Sequence, residues 1–333
     1  MEDIFVPKST PADALVGPLH TVSIVTHDAA TFDRLFRDGY HLTASDWQTP
    51  AEQDWPRVND YLGFHRDHRW RVACYTRAGV GANLQIRVFD LKASTPLVRQ
   101  GYEGLYCGGA TISFPVVDMP AHEKRMTALG VESTVGIREL QFKSPAGETY
   151  TSAEILYKVP ENVFLLAVRR PEIFLPVGPI DPADGMGGAA YSARCVAKAD
   201  AINDMLRDVL GYEIRRDMMF DIGENSAIYL PAGIRERFIQ AFAPGSRTGY
   251  LILMDHGSAS RPTAAPSEGP PNRGIVMWSF PTRDLAAVHA RAVKSGARVK
   301  KPPGEHGSPF LGRHRSMLLE DPEGFVLEVF EAA

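Results

Sequence analysis

The sequence predicts an α+β protein with helices on the outside of curved sheets. Three observations predict it. One order of elements (a strand, a helix, then several strands) recurs four times, at intervals of roughly 80–90 residues. Each opening strand is followed by an amphipathic helix that ends at a glycine: Gly39, Gly130, Gly211 and Gly296. A single unit has too little core to stand alone, so units are expected to pair and share one.

The elements follow in order. Residues 1–17 contain Pro7 and Pro11 and no periodicity, which predicts an extended arm. Leu19–Val25 reads as a strand, Asp28 as a helix cap, and Phe32, Leu35 and Phe36 as one helical stripe. A loop rich in Asp, Trp and His over residues 44–68 precedes strands at Arg69–Tyr75 and Ala82–Phe89. The second unit has a strand at Ala110–Val116, a cap at Asp118, and Met119, His122, Met126 and Leu129 at helical spacing. Strands near residues 150–157 and 162–169 close it, and the Pro-rich stretch 171–188 reads as a linker.

The third unit opens at Ala190–Val196, and its helix carries Ile202, Met205, Leu206, Val209 and Leu210. Strands are expected around residues 212–219, 226–230 and 249–254, before a loop at 257–272 with four prolines. The fourth unit has Gly274–Phe280 as its strand and Leu285, Val288, Ala292 and Val293 in its helix. It ends in a hairpin over Leu318–Glu331 whose turn is Asp321-Pro322-Glu323-Gly324. Period two places Glu328 between Val326 and Phe330 on one face. A carboxylate there is paired with a metal, a cation or a donor, or it lies at a wet edge.

Length and composition bound the rest. At 333 residues two domains are the default. A net charge of −4 gives no footprint for nucleic acid or an acidic membrane surface. No run approaches a membrane span and no signal peptide opens the sequence, so a cytoplasmic protein is expected. The three cysteines form no C-x-x-C pair and read as reduced, buried side chains. No P-loop, dinucleotide fingerprint, nucleophile elbow or H-E-x-x-H is present.

The four units, with Asp321-Pro-Glu-Gly-Phe-Val-Leu-Glu328 as the most specific piece, resemble the vicinal oxygen chelate superfamily. It includes glyoxalase, bleomycin-resistance proteins and extradiol dioxygenases. The resemblance implies βαβββ modules paired into cupped sheets around a site. Ala190–Val196 followed by Leu206–Tyr212, and Leu311-Gly-Arg-His314, are most similar to the extradiol dioxygenases. It further implies an N-terminal domain over 18–170 (modules one and two) and a C-terminal domain over 189–333 (modules three and four) that carries the site. In that family two histidines and a glutamate hold a divalent metal, often Fe(II). Carried over, the glutamate is Glu328, but the histidine positions fall on Tyr191 and on Ile275 or Val276. In the N-terminal half, His20 takes a ligand position whose partners fall on Arg87 and Ala110.

Tyr191 and Glu328 are therefore expected to face one cup and to act without a metal, with no cofactor. Glu328 would be the base, Tyr191 a donor and His314 a second acid/base, while Arg313, His306, His20 and Arg87 contact substrate. The expected partner is a small, aromatic organic molecule, and the chemistry a lyase- or isomerase-like proton transfer. A divergent Fe(II) dioxygenase and a drug-sequestering binding protein are the alternatives, and a homo-oligomer is left open. His65 and His68 invite a metal reading but share a charged loop. His122 and His289 read as helix packing residues.

Overall fold

The computed structural model describes residues 14–81, 83–143, 149–170, 177–221, 230–231, 233–306 and 315–331. The first module contains β1 (Thr21–Thr26), α1 (Ala29–Arg34), β2 (Thr43–Ala44), α2 (Trp55–Leu62), β3 (Trp70–Thr76) and β4 (Gln85–Leu91). The second contains β5 (Gly108–Pro115), α3 (Met119–Ala128), β6 (Arg138–Lys143), β7 (Thr149–Val159) and β8 (Val163–Arg169). A short hairpin, β9 (Ile180–Asp181) and β10 (Met186–Gly187), lies in the expected linker. The third module has β11 (Tyr191–Val196), α4 (Ala199–Asp208), β12 (Glu213–Asp221), β13 (Arg235–Phe242) and β14 (Tyr250–Asp255). The fourth has β15 (Gly274–Thr282), α5 (Leu285–Ser295), β16 (Arg298–Gly304), β17 (Arg315–Glu320) and β18 (Val326–Glu331).

The α+β architecture is as expected, with sixteen of these strands in one large sheet. Asp28, Asp118 and Asp284 cap their helices by accepting the backbone N–H three residues on. Helical stripes containing Phe32 and Phe36, Met119 and Met126, Ile202 and Leu206, and Leu285 and Val288 all enter one buried core on the outer face of the sheet. Val16 bridges to Thr282, which ties down the end of the arm, while residues 1–13 lie outside the described residues.

The pairing of modules differs from the expectation. β1 of the first module runs antiparallel to β15 of the fourth, with Thr21 opposite Ser279. β5 of the second runs antiparallel to β11 of the third, with Ser113 opposite Tyr191. The two cups are thus built from modules one and four and from modules two and three, not from one with two and three with four. They meet where Ile275 faces Gly109, and there a side chain cannot be accommodated: a Cβ on Gly109 would lie 2.5 Å from the Ile275 carbonyl oxygen.

Two local expectations also change. The loop at 44–68 contains helix α2, which starts with a proline in its first turn and ends at Gly63 in the left-handed region, φ 81°. The strand expected near 226–230 falls largely outside the described residues, and the strand pairing with β14 is β13, which begins at Arg235.

Candidate binding site

The closing turn is built as its sequence suggests. Asp321 Oδ1 accepts the backbone N–H groups of Glu323 and Phe325, and Gly324 takes φ 87°. Its other oxygen receives the buried guanidinium of Arg194 on β11, and Arg194 also holds Glu268 at 2.6 Å.

Glu328 on β18 is 1 % exposed and surrounded by partners. Ser279 Oγ donates to it at 2.6 Å, and the Arg87 guanidinium lies 3.3 Å away. The Tyr61 phenol from α2 sits 3.3 Å from the carboxylate and 2.7 Å from Ser316 Oγ. Above them α2 packs Trp55, Val58, Tyr61 and Leu62 against Val25, Val72, Phe89, Met277 and Val326. The cup of modules one and four is closed by its own helix. Asn59 locks that closure by donating to the carbonyls of His65, Arg66 and His68 and accepting from the Trp70 indole.

This arrangement corrects two expectations. Tyr191 and Glu328 do not share a cup, because module one, not module three, pairs with module four. Arg87 is fully buried and engaged with Glu328 rather than facing a substrate. The metal implied by the fold family does not fit here either. A guanidinium cannot ligate a cation, and it lies against the one carboxylate carried over as a ligand. Among the described residues no group of three His, Cys, Asp or Glu side chains is placed to hold a metal ion.

The remaining predicted residues are dispersed. His20 is exposed just before β1, with Nδ1 2.8 Å from Thr21 Oγ1 and its ring edge-on to Phe330. His306 stacks on Tyr61 at 4.8 Å, so it covers the closed cup. Arg313 and His314 lie outside the described residues. His65 and His68 are on the α2 loop, and His122 is buried in the outer core between Tyr40 and Tyr157. Burial holds the His122 imidazole down at about 3.

The second cup is a different chemical environment. Tyr191 lies opposite Tyr250 on β14, and the rings of Tyr191, Tyr250 and Phe242 form a continuous stack with centroids 4.5 and 4.6 Å apart. Phe164, Leu166, Leu156, Ile252 and Met254 complete an apolar lining separate from the outer core. Buried polar groups converge on this stack. Arg170 places Nη1 3.5 Å from the Tyr250 hydroxyl, Nε 3.4 Å from Ser152 Oγ and Nη2 3.7 Å from Glu154. Arg216 on β12 donates to the Tyr150 phenol at 3.4 Å, and Ser152 donates to Glu154 at 2.9 Å. Burial pushes the Tyr191 phenol up to about 12 and the Tyr250 phenol well above its ordinary value, so both remain protonated.

Gln240 alternates with Phe242 on β13 and is 1 % exposed; among the described residues neither atom of its amide has a hydrogen-bond partner. Toward the other end of the same strand Glu236 meets His256 Nε2 at 3.0 Å, beside a cavity of about 440 Å³. Of this cup the sequence points to Tyr191 alone. The available signal was period-two polarity: Tyr150, Ser152 and Glu154 on one strand, and Glu236, Gln240 and Phe242 on another.

Comparison with known proteins agrees with the fold. Residues 189–329 match the family described as the Glyoxalase/Bleomycin resistance protein/Dioxygenase superfamily. Glyoxalase I from Zea mays superposes with a TM-score of 0.62 at 11% identity, covering 94% of this chain and 92% of that one. A putative dioxygenase from Bacillus subtilis subsp. subtilis str. 168 gives 0.59 at 13% identity, covering 96% and 86%. Among curated proteins none matches this chain in sequence. Residues 189–329 thus resemble the glyoxalase/bleomycin resistance protein/dioxygenase superfamily, and over nearly its whole length the chain shares the fold of glyoxalase I.

Proposed function

We propose that this protein binds a small aromatic molecule in the cup of modules two and three and moves a proton on it without a metal. The observation that carries the reading is the Tyr191–Tyr250–Phe242 stack, set among buried groups that hold or accept protons. An aromatic row presents a large rigid face to a planar ligand. Tyr191 and Tyr250 supply neutral phenol donors, and Tyr191 keeps the donor role expected from its position. The base passes from Glu328, enclosed in the other cup, to Glu154, whose carboxylate lies on β7 beside Arg170. A carboxylate placed next to a protonated donor is the pairing that proton abstraction and return require.

Phenylpyruvate is a suitable probe because it joins an aromatic ring to an exchangeable methylene. In D2O, chelator-treated protein is expected to speed loss of the methylene proton signal about a hundredfold or more over buffer. The Glu154→Gln variant should lose that effect. Binding without faster exchange would favour the sequestering alternative and overturn the proton-transfer reading. Consumption of oxygen with catechols, dependent on added Fe(II), would favour ring cleavage instead.

A further inference from the structure

We infer that the ligand of the second cup is an aromatic acid, its carboxylate received by Arg170. This rests on the reading that the cup binds an aromatic molecule. Arg170 follows β8 at the end of the aromatic row, its side chain 6 % exposed and its guanidinium 5.9 Å from the centre of the Tyr191 ring. Arginine ordinarily satisfies burial by bidentate pairing at 2.7–2.9 Å. Arg170 does not. Among the described residues its carboxylate neighbour, Glu154, is 3.7 Å away, and its hydrogen bonds go to neutral hydroxyls at 3.4 and 3.5 Å. The planar fork is therefore held in place by long contacts, with its charge incompletely matched.

The groups around it have the polarity an anion needs. The phenols of Tyr191 and Tyr250 are protonated, and a second buried guanidinium, Arg216, approaches the same cluster through Tyr150. The Gln240 amide adds an unpartnered buried N–H donor on the concave face. A buried donor without a partner costs stability unless a ligand supplies the acceptor. Its other amide atom is an equally unpartnered acceptor, which a hydroxyl or amide on the ligand would meet. A ring on the Tyr191–Tyr250–Phe242 stack with a carboxylate at Arg170 answers the apolar row and the unmatched charge together. The first cup offers no such place, since its guanidinium is already paired with Glu328.

Isothermal titration of the intact protein with benzoate and with benzamide tests this directly. The two probes share ring and shape and differ in charge. Benzoate is expected to bind at least about tenfold more tightly, since a buried site built for one hydrogen-bonding group rejects its mismatch. In Arg170→Gln the two affinities should converge, and Arg170→Lys should recover part of the preference. Equal affinities in the unaltered protein would overturn the acid while leaving aromatic binding intact. Failure of both probes to bind would overturn the aromatic reading and this inference with it. The comparison in the unaltered protein decides the matter even if an Arg170 variant does not fold.

Discussion

Replacing Glu328 by Gln separates a structural carboxylate from a catalytic one. Arg87 is fully buried, and among the described residues its Nε already has no hydrogen-bond partner. Its counter-charge is Glu328, 3.3 Å from Nη2. Removing that charge leaves a guanidinium in a dry interior under Tyr61 and the apolar face of α2. Breaking one side of a buried pair costs about 3–5 kcal/mol, whereas replacing both sides with apolar groups is often neutral. Urea unfolding should therefore show Glu328→Gln and Arg87→Met each destabilised by about 3–5 kcal/mol. The Arg87→Met/Glu328→Leu double variant should recover most of that loss. Phenylpyruvate exchange, at a temperature where the protein is folded, should be unaffected. A Glu328→Gln variant of nearly normal stability that lost exchange would refute the assignment of Glu328 to the scaffold. It would return the active site to the first cup.

Other consequences are open to the same measurements. Gly109→Ala should destabilise the protein by about 1–3 kcal/mol or more, because the new Cβ would meet Ile275 at 2.5 Å where the cups join. His122 is held near 3, below its unfolded value of 6.5, so it opposes folding as pH falls through 6.5. At pH 5 this amounts to about 2 kcal/mol, and His122→Phe should remove that slope in acid unfolding curves. Glu268 behaves oppositely: burial raises it to about 7, so its protonated form favours the fold and stability declines as pH rises from 4.5 toward 7. Glu268→Gln should flatten stability across that window by on the order of 1–3 kcal/mol, read as the difference between urea midpoints at pH 5 and pH 8.

Local structure was legible in the sequence because it depends on nearby residues. The caps at Asp28, Asp118 and Asp284, the stop at Gly296 and the Asp321–Gly324 turn all follow from contacts within a few positions. Helix α2 was not, since Trp55-Pro56-Arg57 sits in a polar stretch and its apolar residues are only explained by the cup they fill. For Glu328 the sequence leaves a paired buried carboxylate and an acid at a wet edge both open, and burial at 1 % exposure selects the first. The partner, Arg87, is 241 positions away and was assigned to substrate instead.

The same limit explains the exchanged modules. The turn Pro160-Glu161-Asn162 before β8 occupies the place of Pro322-Glu323-Gly324 before β18. Glu161 accepts from the Thr26 hydroxyl and the His27 amide at the end of β1, and Glu323 accepts from the Ala197 and Lys198 amides at the end of β11. Consecutive modules are thus clasped through their turns, module two to one and module four to three. Their opening strands pair across the clasped halves, β1 with β15 and β5 with β11. An opening strand has the same apolar pattern whichever neighbour it takes, so no single module records the choice. What records it is chemistry shared between modules: Arg87 with Glu328 in one cup, and Tyr191 with Ser113 and Arg170 in the other. Once the pairs are formed, the first cup contains a neutralised charge under a helix. The second contains Arg170, 3.7 Å from Glu154, beside three stacked rings, and that contrast is why the ligand is proposed there.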